Sequence, residues 1–263
     1  MNSSCILFTI LNYKEKENSE RLYQMISPYF SCRILDADSG QRPESFNGDT
    51  MYLPNIYFGG LLNRSIELAH SGNFTYLFFI CSDVHIEQED FLKMKDILLQ
   101  EDFHNVAIYC PSHNNSSYTF VHWAYNKKTN RKRVVPCIEA MVSMWHRDIF
   151  DKLYPCADNK YGWGLDICAA YYAKSLRQKI VIDDRVQLFH PQGGVGKNDA
   201  AGVCAKDYIS HHEDAEEILD LWHWIYIYRL NNHANILLLK HYKFWCSLFC
   251  KLHKLFPSIG YRY

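Results

Sequence analysis

An α/β fold with a mainly parallel sheet flanked by helices is predicted from three features of this chain. The segment Tyr76-Leu-Phe-Phe-Ile80 is an unbroken apolar run, as a strand buried on both faces requires, and three residues later comes Asp83. Runs of this kind alternate through the first half of the sequence with stretches of helical periodicity, the pattern of strand–helix–strand units. The chain has 263 residues, 48% hydrophobic and 22% charged, enough to bury such a sheet and ordinary for a globular protein.

Taken in order, residues 5–11 are the first strand, 19–26 a helix, and 32–35 a second strand ending at Asp36. After a polar turn at 38–43, residues 59–71 are helical, with Leu61, Leu62, Ile66 and Ala69 on one side. The strand 76–80 follows, then a helix at 91–99 and a fourth strand at 106–110. Beyond residue 130 the pattern changes to a mixed strand segment at 134–145, a short helix at 149–153 and a helix at 166–176. Short strands at 179–182 and 186–189 come next, the second ending in His190. Residues 191–201 are Gly-rich and polar, as mobile lids are. From about Asp207 the chain is helical and aromatic, which divides it into a main unit at 1–205 and an extension at 206–263.

Composition excludes some functions. A net charge of −1 offers no basic excess to neutralise phosphates, so nucleic acid is not an expected partner. Aromatic residues reach 15%, which suits an aromatic core and, less often, carbohydrate platforms. Of the ten Cys, four (Cys5, Cys81, Cys110 and Cys168) sit in apolar runs, where a free thiol behaves as a small hydrophobe. The start is polar and uncharged, and the apolar run at 5–11 is too short for a signal-peptide core. A reducing, cytoplasmic setting is therefore expected, with the sequons at Asn63, Asn73, Asn114 and Asn115 unused.

Several acids and imidazoles fall at strand ends, where open α/β sheets bind ligands. Asp36 ends the second strand, Asp83 follows the third, and His190 ends the last. Asn12 and Tyr13 end the first. Asp166 opens a helix, where a carboxylate serves as a cap or as a rigidly held base. Each has a plainer reading: an Asx-turn of Asp36 with Ser39, a capping Asp83 or Asp166, an exposed His85, a buried Trp163.

Four segments together resemble the family 2-like glycosyltransferases, which have the GT-A, Rossmann-like fold. They are Ile34-Leu-Asp36-Ala-Asp38-Ser39; Asn55-Ile-Tyr-Phe-Gly59-Gly-Leu-Leu-Asn63-Arg-Ser-Ile-Glu-Leu-Ala69; Leu77-Phe-Phe-Ile-Cys-Ser-Asp83-Val; and Tyr161-Gly-Trp163-Gly-Leu-Asp166 followed by His190. The resemblance covers roughly residues 5 to 196. It implies transfer of a sugar from a nucleoside diphosphate to a glycan hydroxyl, free or lipid-linked, with inversion. The implied setting is bacterial surface-polysaccharide assembly, such as capsule. Asp36 would recognise the base, with Asn12, Tyr13 and Asn63 in the donor site and Trp163 against the sugar. Asp83 and His190 would hold a divalent cation, Mn²⁺ or Mg²⁺, with Asp166 as general base. The chain departs from the family's paired acids: Cys81 and His85 flank Asp83, and Leu165 precedes Asp166. His85 is a candidate replacement for the second metal ligand.

Other signals resolve against chemistry. In Gly193-Gly-Val-Gly196-Lys197-Asn198 a phosphate-binding loop would need Gly where Pro191 stands and Ser or Thr where Asn198 stands. A lid in which Lys197 reaches a diphosphate is the better reading. Cys246, Cys250 and His253 lack a second ligand pair at zinc spacing. The basic run 127–133 reads as a solvated loop. Lys240, Lys243, Lys251 and Lys254 interrupt the apolar run 236–256 too often for a membrane span. Such a helix suits peripheral contact with an anionic membrane, or packing on its own domain or a partner subunit. Two rival functions stay open: a non-catalytic sugar-nucleotide or glycan-binding protein on the same fold, and, less well supported, a sugar nucleotidyltransferase.

Overall fold

The computed structural model describes residues 3–38, 45–119, 121–191 and 199–230. Ser39, the Gly-rich loop with Lys197, and the basic–aromatic segment 236–256 lie outside them. The strands are β1 (Ile6–Asn12), β2 (Ser31–Asp36), β3 (Thr50–Tyr52), β4 (Tyr76–Cys81), β5 (Val106–His113), β6 (Lys132–Val134), β7 (Val142–His146) and β8 (Lys179–Leu188). The helices are α1 (Lys16–Ile26), α2 (Tyr57–Ser71), α3 (Gln88–Gln100), α4 (Arg147–Leu153), α5 (Leu165–Ser175), α6 (Asp199–Ser210) and α7 (Ala215–Leu230).

All eight strands form one sheet in the order β3-β2-β1-β4-β7-β5-β8-β6. Strands β1, β2, β3 and β4 pair in parallel, as do β5 and β8. The α/β class is as expected, and the sheet is mixed: β7 enters antiparallel between β4 and β5, and β6 closes the far edge antiparallel to β8. Because β7 opposes both neighbours, β4 and β5 run the same way, and the carboxyl ends of β1, β2, β4, β5 and β8 share one edge.

The central strands are buried because their residues are apolar on both faces. Every residue of β1 and β5 is buried. Aromatic residues fill the space between sheet and helices: Phe8 stacks on Phe78 with centroids 4.5 Å apart, and Phe79 meets Trp145 edge to face at 4.9 Å. Much of the aromatic content thus belongs to the core.

Three local readings change. The strands expected at 179–182 and 186–189 are one strand, β8, continuous through Asp183-Asp184-Arg185. The basic run at 127–133 is not merely solvated: Lys132 bonds Glu101 at 2.8 Å and Arg133 bonds Asp184 at 2.8 Å. The mixed segment at 134–145 separates into β6 and β7. Helix α6 runs across residue 205, and Leu221, Trp224 and Ile225 of α7 join the main core. The eight cysteines among the described residues are free thiols. No helix of the described residues is long and apolar enough to cross a membrane.

Candidate active site

The turn after β4 carries Asp83 and is clamped from two directions. Helix α1 supplies Asn18, whose amide nitrogen donates to the carbonyls of Ser82 (2.6 Å) and Val84 (2.9 Å), and Arg21, which bonds the Ile86 carbonyl at 2.9 Å. From the other side, His85 and Phe189 exchange two backbone hydrogen bonds, each 2.8 Å, tying the turn to the segment after β8. That pairing brings His190 to Asp83, with Nε2 3.3 Å from Oδ2. The His190 Nδ1 lies 3.1 Å from the Tyr118 carbonyl, which only accepts, so Nδ1 carries a proton and Nε2 faces the carboxylate. Burial alone would lower the imidazole's pKa, but the bond to Asp83, the Tyr118 carbonyl and the charges of Asp83 and Glu139 raise it above the ordinary value.

An imidazole nitrogen aimed at a carboxylate, its other nitrogen fixed by a carbonyl, is the arrangement of a metal-ligating histidine and its outer partner. The Asp83 side chain is 39% exposed and the His190 side chain 7%. A cation here would take these two ligands, an oxygen and a nitrogen, and leave its other positions to phosphate oxygens and water, as Mg²⁺ and Mn²⁺ commonly do. Among the described residues no three His, Cys, Asp or Glu side chains converge as a metal cluster, and His85 is not brought in; its ring centroid is 6.1 Å from that of Phe189.

At the neighbouring strand ends, parallel register sets Asn12 opposite Asp36. The Asn12 amide donates to Asp36 Oδ1 at 2.8 Å, and its own oxygen accepts from Ser19 at 2.8 Å and from the Glu15 N–H at 3.2 Å. Asp36 Oδ1 also accepts from the Asp38 N–H at 3.1 Å, an Asx-turn two residues on. Both side chains are buried. Tyr13, the next residue along, is 48% exposed, and its backbone N–H donates to Ser82 Oγ at 3.3 Å.

The segment Gly162-Trp163-Gly164 is explained by close approach. Gly162 (φ +74°) and Gly164 (φ +82°) adopt left-handed backbone, and a Cβ on Gly162 would lie 2.1 Å from Phe58 Cδ1. A Cβ on Gly59 would meet the Asn159 carbonyl oxygen at 1.9 Å. The two Gly motifs thus press the first turn of α2 against the turn before α5. Trp163 is half-buried there, its carbonyl held by Asn159 at 2.8 Å. Asn63 braces the same contact: its oxygen accepts from the Cys156 N–H (3.0 Å) and its nitrogen donates to Glu67 (2.8 Å).

Asp166 lies in the first turn of α5, buried, with Oδ1 accepting from the Ile167 N–H at 2.9 Å. Burial, then the charge of Glu139, push its carboxyl up to about 7 against backbone hydrogen bonds that lower it. A base poised near neutrality can take a proton from a hydroxyl in the transition state.

The structure therefore joins Asp83 with His190 and Asn12 with Asp36 along one edge. Asn63 and Trp163 lie at the contact of α2 with the turn before α5, and Lys197 is outside the described residues. The sequence pattern does not single out Asn18, which clamps the Asp83 turn, Glu139, whose charge acts on Asp166 and His190, or His113. Burial and His190 lower His113, at the end of β5, to about 4, so it stays neutral. A lone Asn in the polar first turn of a helix carries no signal, and His113 lies three residues past the strand expected at 106–110, which in the structure extends to it.

The sheet order and the shared carboxyl edge define a GT-A, Rossmann-like fold. Among solved structures the chain is similar to GalNAc-T7, determined with UDP, GalNAc and Mn²⁺, at 10% identity and a TM-score of 0.57. The match covers 92% of this chain and 54% of that one, so the chain spans about half the length of that protein. At this identity the likeness is one of fold. No family model matches the sequence, and no curated protein matches it.

Proposed function

We propose that this protein is a glycosyltransferase that moves a sugar from a nucleoside diphosphate to a hydroxyl of a glycan, free or lipid-linked, with inversion. The observation that carries the reading is the pairing of Asp83 with His190 on the edge that also holds Asn12–Asp36. The ligands of the GalNAc-T7 structure, UDP, GalNAc and Mn²⁺, accord with such a donor and cation. Surface-polysaccharide assembly as the pathway, and a cytoplasmic setting, rest on the sequence motifs and composition.

In this reading Asp36 and Tyr13 receive the base, and Asp83 and His190 the diphosphate. A divalent cation held by Asp83 and His190 would neutralise charge on the leaving diphosphate. Asp166 accepts the acceptor's hydroxyl proton as that oxygen bonds to the anomeric carbon; the carbon–phosphate-oxygen bond breaks, and the nucleoside diphosphate leaves with its electron pair. Trp163 would pack against the sugar, and Lys197 would reach the diphosphate.

One observation favours the non-catalytic alternative. Where the family has an acid before Asp83, this chain has Cys81, whose thiol is pushed up by burial and then by the Asp83 and Glu139 charges, so no second carboxylate stands there. The test is turnover and binding across UDP-, GDP- and dTDP-sugars with Mn²⁺, Mg²⁺ or EDTA, with candidate glycan acceptors. Transfer from one donor, lost with EDTA and in Asp83→Ala, is expected. Donor binding with neither hydrolysis nor transfer supports the binding protein, and no binding to any donor ends the glycosyltransferase reading.

A further inference from the structure

Tyr57 is the one aromatic side chain among the described residues carried on left-handed backbone, at φ +57°. Asn73 and Arg177 share that conformation just past the ends of α2 and α5, where it is a common helix stop. Tyr57 instead begins α2, and a bulky side chain at positive φ is strained there. The Asn55 side chain holds it, accepting from the Tyr57 N–H at 3.1 Å. The next residue, Phe58, packs on the core with its ring centroid 6.2 Å from that of Phe79, whereas Tyr57 is 40% exposed. The strain therefore gains no burial; it presents a ring. That ring meets Tyr161 edge to face at 5.7 Å, and Lys160 Nζ lies 3.9 Å from the Tyr57 centroid and 5.6 Å from that of Tyr161. Lys132 sits as close to a ring, 3.8 Å over Phe103, but Glu101 answers its charge at 2.8 Å. No carboxylate among the described residues pairs with Lys160, so two rings fix an ammonium whose charge is still to be met.

The place is the ligand edge. Helix α2 starts beyond the carboxyl end of β3, and α5 runs back to the amino end of β8, so both helices begin on the edge that carries Asp36 and Asp83. The Gly59 N–H donates to the Lys160 carbonyl at 3.2 Å, which locks the two beginnings together. Tyr161 opens the Gly162-Trp163-Gly164 turn that leads into Asp166. We propose that Tyr57, Tyr161 and Lys160 form an acceptor subsite for a pyranose ring bearing a carboxylate, so that the acceptor is an acidic glycan. The proposal rests on the glycosyltransferase reading, with Asp166 as base. A pyranose lays its C–H face on an aromatic ring, as apolar groups do in ligand sites. The ammonium covers one face of Tyr57 and leaves the exposed part of the ring to the sugar. Its three N–H donors and single charge match a carboxylate better than a phosphate dianion.

Calorimetric titration of the full chain would use trigalacturonate, trimannuronate and a hyaluronan tetrasaccharide, each beside its methyl ester, which keeps the rings and removes the charge. At least one acid is expected to bind about fivefold more tightly than its ester. Lys160→Met should erase that preference while the ester still binds, and Tyr57→Gly should weaken both about fivefold. A ring needed for the fold would show as a lower urea midpoint in Tyr57→Gly with glycan affinity unchanged. Because glycine relieves the strain, the midpoint is expected to be no lower than that of wild type. Binding of no acid, equal binding of acid and ester, a preference unchanged in Lys160→Met, or affinity unchanged in Tyr57→Gly overturns the proposal. UDP- and GDP-sugar binding by the same protein separates the two failures. Donor bound without an acidic preference ends the proposal alone, whereas no donor bound ends the glycosyltransferase reading and the acceptor role with it.

Discussion

Two groups of buried or half-buried acids lie in this molecule, and their partners differ. In the middle of β8, Asp183 and Asp184 have fully buried side chains and are matched by arginines. Arg185 grips Asp183 with two bonds of 2.9 and 2.7 Å and reaches Glu101 at 2.6 Å. Arg133 grips Asp184 at 2.8 and 2.9 Å, and Thr129 adds a third bond at 2.7 Å. Burial would raise Asp184, but the bonds from Arg133 and Thr129 win and hold it below the ordinary range. On the carboxyl edge, Asp36 is met by an amide and a backbone N–H, Asp83 by an imidazole, and Asp166 by a backbone N–H and the like charge of Glu139. Acids needed for the fold are neutralised within it. Those at the edge keep a field that a cation, a proton or a ligand's donors can answer, which is how perturbed groups come to mark sites.

The sharpest break of this comparison is Arg133→Ala. It leaves Asp184 buried without its guanidinium and also frees the Trp123 and Tyr125 carbonyls that Arg133 holds at 3.0 and 3.1 Å. A loss of about 3–5 kcal/mol of folding stability is expected by urea titration, with catalysis per folded molecule unchanged. A loss below about 1 kcal/mol would mean that the two groups of acids are not different in kind.

Asp166→Asn should do the reverse. With the base gone, kcat falls by about 10²–10⁴-fold while donor binding stays. In wild type the base must be ionised, so the rate should rise with pH through about 7 and level off above it. The stability sign is opposite to that of a salt-bridged acid. Folded Asp166 titrates at about 7 rather than 3.8, so between those values the native state holds a proton that the unfolded chain has lost. Its contribution is favourable below that window and is lost as pH rises through it. At pH 8, Asp166→Asn should therefore stabilise the fold by on the order of 1 kcal/mol or more, and that gain should shrink toward pH 4. A destabilised variant at pH 8 would place Asp166 with the structural acids.

Asn18→Ala tests the clamp on the Asp83 turn. It removes the bonds to the Ser82 and Val84 carbonyls, so Mn²⁺-dependent activity should fall about tenfold or more through misplacement of Asp83. A stability loss of about 1–2 kcal/mol should accompany it. Rate and metal affinity unaffected by the substitution would show that Arg21 and the His85–Phe189 pairing suffice to fix the turn.

Much of this division is legible in the sequence, for a physical reason. Strands buried on both faces announce themselves as apolar runs, so the residue pattern alone puts Asn12, Asp36 and Asp83 at strand ends. Periodicity places helix starts late, at 19 instead of Lys16 and 91 instead of Gln88, because first turns such as Lys16-Glu-Asn are polar and show no repeat. The insertion of β7 between β4 and β5 is invisible, since pairing partners leave no trace in a strand's own pattern. Asp183-Asp184-Arg185 looks like a break between two strands because its charges are answered by Glu101, Thr129 and Arg133, distant in sequence. Glu139 escapes notice for the same reason: its hydrogen bond to Thr119 joins residues distant in sequence.

The smallest expected effect concerns an exposed aromatic set against the buried ones. Phe78 is fully buried and stacked on Phe8, so truncating it would cost the core several kcal/mol, about 3–5 for a change to Ala. Tyr13 stands 48% exposed just past the Asn12–Asp36 pair, its backbone anchored to Ser82 and Lys14 Nζ 5.1 Å from its ring centroid. Such a ring adds little to folding but presents a flat face beside the acid expected to read a base. Tyr13→Ala should leave stability within about 0.5 kcal/mol of wild type. It should weaken binding of the nucleoside diphosphate by about five- to tenfold, the lower end of base–aromatic stacking. Tyr13→Phe should bind as wild type does, since the face and not the hydroxyl is used. Calorimetry of UDP and GDP against the three proteins decides the matter. Equal affinity in Tyr13→Ala would put the base elsewhere along the edge and leave Asp36 a turn-forming acid, matched from within like those of β8.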